Sequence, residues 1–176
     1  MLFGYRLIGA ALLDRSIYEG IESDRRALPQ AMATVLLSSA AAGVGIAGWR
    51  GPDPAVMAAA AALALVTWAA WATLMFQIGG RIMPARETDT SLGELLRTIG
   101  FAAAPGLLQA LGAFPHMTVP MFLVAWIWMF AATVVAVRQA LDYGSLARTL
   151  VVCAIAAGLS LGMALVIGLV LAPEVR

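Results

Sequence analysis

The chain has 176 residues, 62% of them hydrophobic and 12% charged, with a mean hydropathy of +0.90. A soluble domain carries about 25% charged residues, so this chain lacks the polar surface to cover a water-facing globule and reads as a membrane protein. Its net charge is +1, from 11 arginines (no lysine) against 10 acidic residues, which gives no bulk attraction for nucleic acid. One cysteine, Cys153, and one histidine, His116, exclude a disulfide framework, a multi-cysteine metal site and histidine-cluster catalysis.

Residues 1–30 form a cytoplasmic, interfacial region. Its apolar run 7–13, LIGAALL, is far short of the ~20 residues that cross a bilayer. It meets Asp14 and Arg15 with no small-x-small cleavage pattern, so it reads as mature protein. Leu13, Ile17, Ile21 and Leu28 recur at helical spacing, with charged residues around the rest. That pattern predicts an amphipathic helix, or two with a break near Gly20, lying along the membrane surface.

Five apolar stretches follow, at about 31–49, 55–79, 95–114, 118–137 and 150–172, which predicts an all-α bundle of five transmembrane helices over 31–176. Arginine placement agrees. Arg6, Arg15, Arg25, Arg26, Arg81, Arg86, Arg97, Arg138 and Arg148 fall on one side, and only Arg50 and Arg176 on the other. The positive-inside rule then puts the N-terminus in the cytoplasm and the C-terminus outside.

The third span is the irregular one. Pro105 lies inside it and withholds an N–H from the carbonyl of Phe101, which predicts a kink. Such a break persists in lipid only if neighbours satisfy the freed carbonyl, so the segment belongs inside the bundle. Arg97 would anchor its cytoplasmic end, Gly100 and Gly106 would admit close neighbours, and Gln109 is placed to donate to the freed carbonyl. A re-entrant hairpin over 98–118, supported by Pro105, Pro115 and Pro120, is the alternative.

Small residues at four-residue spacing mark packing faces: Ser39 and Gly43, and Ala41 and Gly45, in span one; Ala102, Gly106 and Ala110 in span three; Gly158 and Gly162 in span five. The plain reading of Gly158 and Gly162 is packing within the bundle, and the sharper one a dimer face. Trp68, Trp71, Trp126, Trp128 and Phe130 lie well inside their spans and read as helix packing, or lipid contact for Trp128, rather than a cofactor box. After span four, Arg138, Asp142 and Tyr143 gather within two turns; an Arg138–Asp142 pair along one face with Tyr143 as an interfacial anchor is expected. The alternative is a docking surface for Arg97, Glu94 or a cytoplasmic partner.

Apart from Arg97 at the cytoplasmic edge, the intramembrane polar residues Thr67, Thr73, Gln77, Gln109, Thr133 and Ser160 include no ionisable group, which argues against proton-coupled transport. Cys153 sits among apolar neighbours and reads as inert packing. No nucleophile has a base nearby, and no phosphate loop or HExxH occurs; Glu87 and Asp89 are at most a weak metal site. The sequence calls for no catalytic residue, cofactor or metal.

RTIGFAAAPGLLQALG (97–112), the Trp-rich fourth span, AVRQALDYGS (136–145) and LLDRSIYEGIESDRRALPQAM (12–32) together resemble the bacterial branch of the Yip-domain membrane proteins. The resemblance covers nearly the whole chain and implies a compact five-span bundle in a bacterial inner membrane, with its N-terminus in the cytoplasm. Eukaryotic relatives associate with Rab-type GTPases and with one another, through a longer N-terminal region with an acidic DLYGP-type motif. Residues 1–30 carry no such motif, so a small-GTPase partner does not carry over. The function expected is a non-enzymatic membrane scaffold that packs against itself or other membrane proteins. The alternative is a small transporter or channel subunit with span three lining the pathway.

Overall fold

A computed structural model describes residues 2–47, 53–85 and 90–171. These are helical almost throughout: α1 (Leu2–Ala11), α2 (Arg15–Ser23), a 3₁₀ turn (Arg25–Ala27), α3 (Leu28–Ala47), α4 (Pro54–Met75), α5 (Leu92–Phe101), α6 (Thr118–Ala140) and α7 (Leu146–Leu171). Two irregular helices interrupt the series. A π-helix, Phe76–Ile82, extends α4, and a 3₁₀ helix, Ala104–Ala113, follows α5.

Among the described residues, four segments have the length and apolar composition to cross a membrane: Arg25–Ile46, Met57–Ile82, Leu92–Ala113 and Thr118–Ala140. By the same test Leu146–Ser160 is a shorter apolar helix, although α7 continues helical to Leu171. The third segment is the inner one, 67% buried against 12–33% for the other three. A helix enclosed by its neighbours needs no lipid-compatible face, so it can hold polar and glycine residues.

Local chemistry sets the boundaries. Asp14, Asp53 and Ser91 cap α2, α4 and α5 through their side-chain oxygens. At Ser91 the cap is reciprocal, since Glu94 N–H donates to Ser91 Oγ and Ser91 N–H to Glu94 Oε2. α6 ends in a Schellman turn: Tyr143 N–H returns to the Arg138 carbonyl and Asp142 N–H to that of Gln139, both at 3.0 Å. Asp142 takes the left-handed position of that turn, with φ 51°.

The N-terminal region is a helical hairpin whose break falls at 12–14, where Leu13 has φ 63°; Gly20 lies within α2 instead. Ile17 and Ile21 pack with Phe101, Ala132 and Ala136 of the bundle. Tyr18 O–H donates to the Ala10 carbonyl and ties α2 back to α1. Arg6 is buried and makes an ion pair with Asp24 at 2.7 Å, with a further hydrogen bond to Gln30 at 3.1 Å. The outward side of α1 is apolar, with Leu2, Tyr5, Ile8 and Leu12 exposed.

Candidate functional site

The residues that the sequence singles out fall in three places: the seam between α3 and the third segment, the region where the C-terminal ends of α2 and α6 meet the start of α5, and the exposed face of α7.

At the seam, Gly100 lies against Ala31, Gly106 against Ser38, and Gly112 against Gly45, whose own α-carbon abuts the backbone of Gln109. A Cβ on Gly100 would come within 2.7 Å of the Ala31 Cβ. The contacts advance in the same direction on both strands of the seam. The third segment therefore runs parallel to α3 without folding back, and a hairpin over 98–118 does not fit.

The spacing explains the break at Pro105. On α3 the contact residues are seven apart, a rise of about 10.5 Å at ~1.5 Å per residue. On the partner, Gly106 and Gly112 are six apart, about 12 Å at the ~2.0 Å rise of a 3₁₀ helix. With three residues per turn, Gly106, Gln109 and Gly112 share one face, and all three are buried. In an α-helix, a spacing of six would put Gly106 and Gly112 on different sides. Pro105 lies in the first turn of the 3₁₀ helix, where its missing N–H leaves no internal bond unmade. Across the segment the helical period changes, from α over Leu92–Phe101 to 3₁₀ over Ala104–Ala113. The four-residue pairs expected in spans one and three give way to this seven-against-six register.

Gln109 departs from expectation as well. It is only 4% exposed, yet its amide makes no side-chain hydrogen bond among the described residues. It faces a cavity of about 570 Å³ between α3, α4, the third segment and α6.

In the second place, Arg97 is buried and reaches across to the C-terminal end of α2. Its Nε donates to the Ile21 carbonyl at 3.2 Å and its Nη2 to the Glu22 carbonyl. A cation there meets the negative end of the α2 dipole and satisfies carbonyls without a helical partner. The Glu22 carboxylate accepts from Gln139 Nε2 of α6 at 3.3 Å. Burial pushes the Glu22 carboxyl above the usual carboxylate range, against the lowering effect of the Gln139 bond.

The Arg138 guanidinium bonds the backbone that follows α6. Nε donates to the Tyr143 carbonyl at 3.0 Å and Nη2 to that of Gly144 at 2.9 Å, closing the α6 turn. Asp142, at φ 51°, is the left-handed residue of the same turn. Tyr143 is buried rather than interfacial. Its hydroxyl lies 2.8 Å from the Gly79 carbonyl and 2.7 Å from that of Met83, at the end of the π-helix. Arg148 lies over its ring, 5.7 Å from the centroid. Burial raises the Tyr143 phenol, and the nearby Arg148 charge partly offsets the rise.

On α7, Gly158 and Gly162 have no neighbour within 4 Å of where a Cβ would stand, so the described residues do not pack on them. Cys153, by contrast, is fully buried in the core with Val137 and Leu141. Glu87 and Asp89 lie outside the described residues, as do the ends of the predicted spans at Trp49 and Ala172.

Three features escaped the sequence. Trp128, expected to pack or face lipid, donates from Nε1 to the Ala11 carbonyl at 2.7 Å and caps α1. The Arg6–Asp24 pair links positions whose proximity depends on the hairpin. Ser38, midway along span one, turns out to be the residue on which Gly106 rests. A lone arginine in the apolar run of α1 was the one available signal.

The chain matches the Yip1 domain over residues 15–168 and belongs to that family. No curated protein and no solved structure matches it.

Proposed function

We propose that this Yip1-domain protein is a non-enzymatic scaffold or adaptor in a bacterial inner membrane. In this reading five spans cross the bilayer, with the N-terminus in the cytoplasm and the C-terminus outside. It associates through α7 with a second copy of itself or with another membrane protein.

The observation that carries the reading is the open space around Gly158 and Gly162. Lipid gives helices no hydrophobic reason to associate, so close backbone approach at small residues matters. Gly100 and Gly106 are already covered by α3, whereas the two α7 glycines remain open to another helix.

The test is Förster transfer between N-terminally labelled full-length copies reconstituted over a range of protein-to-lipid ratios. Transfer above random mixing is expected, and Gly158→Ile and Gly162→Ile should each reduce it while helical content stays constant. Wild-type transfer equal to random mixing, with no crosslinked partner recovered from native membranes, would overturn the reading.

A second reading, a small transporter or channel subunit, draws on the cavity beside Gln109. Solute or ion flux into proteoliposomes that disappears in Gln109→Leu would favour it.

A further inference from the structure

The cavity beside Gln109 sits midway along the spans. Its walls come from Val35 and Ser38 of α3, Trp68 and Trp71 of α4, Gln109 of the third segment and Met129 of α6. At about 570 Å³ it is within the range of small-molecule pockets, ~300–1,000 Å³. Among the described residues no charged side chain lines it, and Trp126, 66% exposed, is also on its wall.

The walls hold polar groups with nothing to bond. Gln109 is 4% and Ser38 8% exposed, and neither side chain makes a hydrogen bond among the described residues. The Trp68 Nε1–H is buried and likewise has no acceptor. Buried polar groups are nearly always paired, so a fully enclosed, unpaired Trp68 N–H beside the unbonded Gln109 amide and Ser38 hydroxyl on the cavity wall calls for an explanation. An indole N–H can only donate, and a glutamine amide and a serine hydroxyl can do so as well. What completes the set is an acceptor oxygen on an otherwise apolar molecule.

We propose that this cavity is a binding site for a neutral glycerolipid, with an acyl chain along the apolar walls and an ester carbonyl accepting hydrogen bonds from Gln109 and Ser38. The uncharged lining offers no counter-ion for a phosphate or a cation, which selects against a charged headgroup inside the cavity. The 3₁₀ conformation is what makes the site, because it turns Gln109 inward on the same face as Gly106 and Gly112. The site is independent of association through α7.

The test uses full-length protein in phosphatidylethanolamine proteoliposomes containing a diacylglycerol with a photoactivatable diazirine in one acyl chain. Labelled peptides are then mapped by mass spectrometry. Label should concentrate on the cavity walls around Ser38 and Trp71. Unlabelled diacylglycerol should compete for it, and hexadecane, which has no acceptor, should not.

Gln109→Leu should weaken that competition about tenfold, the effect of one buried hydrogen bond. Ala64→Phe, which fills the cavity from α4, should abolish the specific label, with the thermal transition of each variant serving as the folding control. Label spread evenly over lipid-facing residues such as Leu123 and Ile127 would overturn the proposal. So would equal competition by hexadecane.

Discussion

Arg97 Nε donates a hydrogen bond to the backbone carbonyl of Ile21, 3.2 Å away and 76 residues earlier in the chain. The residue expected to anchor a span at the membrane surface instead caps a helix and clamps the N-terminal hairpin to the inner segment. Arg97→Leu should destabilise the protein by about 2–3 kcal/mol, since bonds from a charged donor contribute roughly 1.5–3 kcal/mol. Arg97→Lys should restore only part, because an ammonium cannot reproduce the fork geometry. Thermal unfolding in detergent, with hydrogen exchange over 15–23, reads both effects; equal melting of all three proteins would refute the clamp.

Gly106 is covered by the Ser38 side chain. Gly106→Val should therefore overpack the seam and cost about 1–3 kcal/mol. Combining it with Ser38→Gly should recover part of the loss, giving a non-additive cycle. Additive losses in the double variant would show that the two residues do not share the contact.

Tyr143→Phe keeps the ring under Arg148 and removes the hydroxyl at the Gly79 and Met83 carbonyls. About 1–2 kcal/mol of stability should be lost, because the one O–H shared between these two carbonyls is removed. Hydrogen exchange should quicken first at Phe76–Ile82, the π-helix that the phenol closes. Exchange rising uniformly over α4 would argue against that local role.

The hairpin should loosen in acid. The hydrogen bond from Arg6, and then that from the Arg26 N–H, hold the Asp24 carboxyl below its ordinary 3.8. A lowered folded-state value gives stability that is present above the unfolded value and lost as pH falls. Burial shifts Glu22 upward, so its contribution has the opposite sense and weakens as pH rises past its ordinary 4.5. Protection of α1 amides relative to their intrinsic exchange rates should therefore fall below about pH 4, and Asp24→Asn should remove that acid dependence. An acid loss of α1 protection in Asp24→Asn equal to that of wild type would assign the effect elsewhere.

Much was legible because it follows from composition and periodicity. Apolar runs of membrane-spanning length gave the helices, and the proline, glycines and glutamine of 97–112 marked the segment that had to be enclosed. The side-chain partners were not legible. Spacing alone did not show that Arg138 also bonds the Tyr143 and Gly144 carbonyls, because those carbonyls come within reach only through the left-handed turn at Asp142. Gly158 and Gly162 have the spacing of internal packing, but nothing in the described structure lies against them.

By itself the sequence determined a helical membrane bundle with a glycine-rich inner segment, because lipid admits polar backbone only where protein encloses it. Tertiary structure alone decided what the break at Pro105 achieves. A local pattern cannot reveal that Ala31, Ser38 and Gly45 on a neighbouring helix require contacts six residues apart. Only a 3₁₀ period puts Gly106, Gln109 and Gly112 on one face, and that this face meets α3 is decided only once the helices lie side by side.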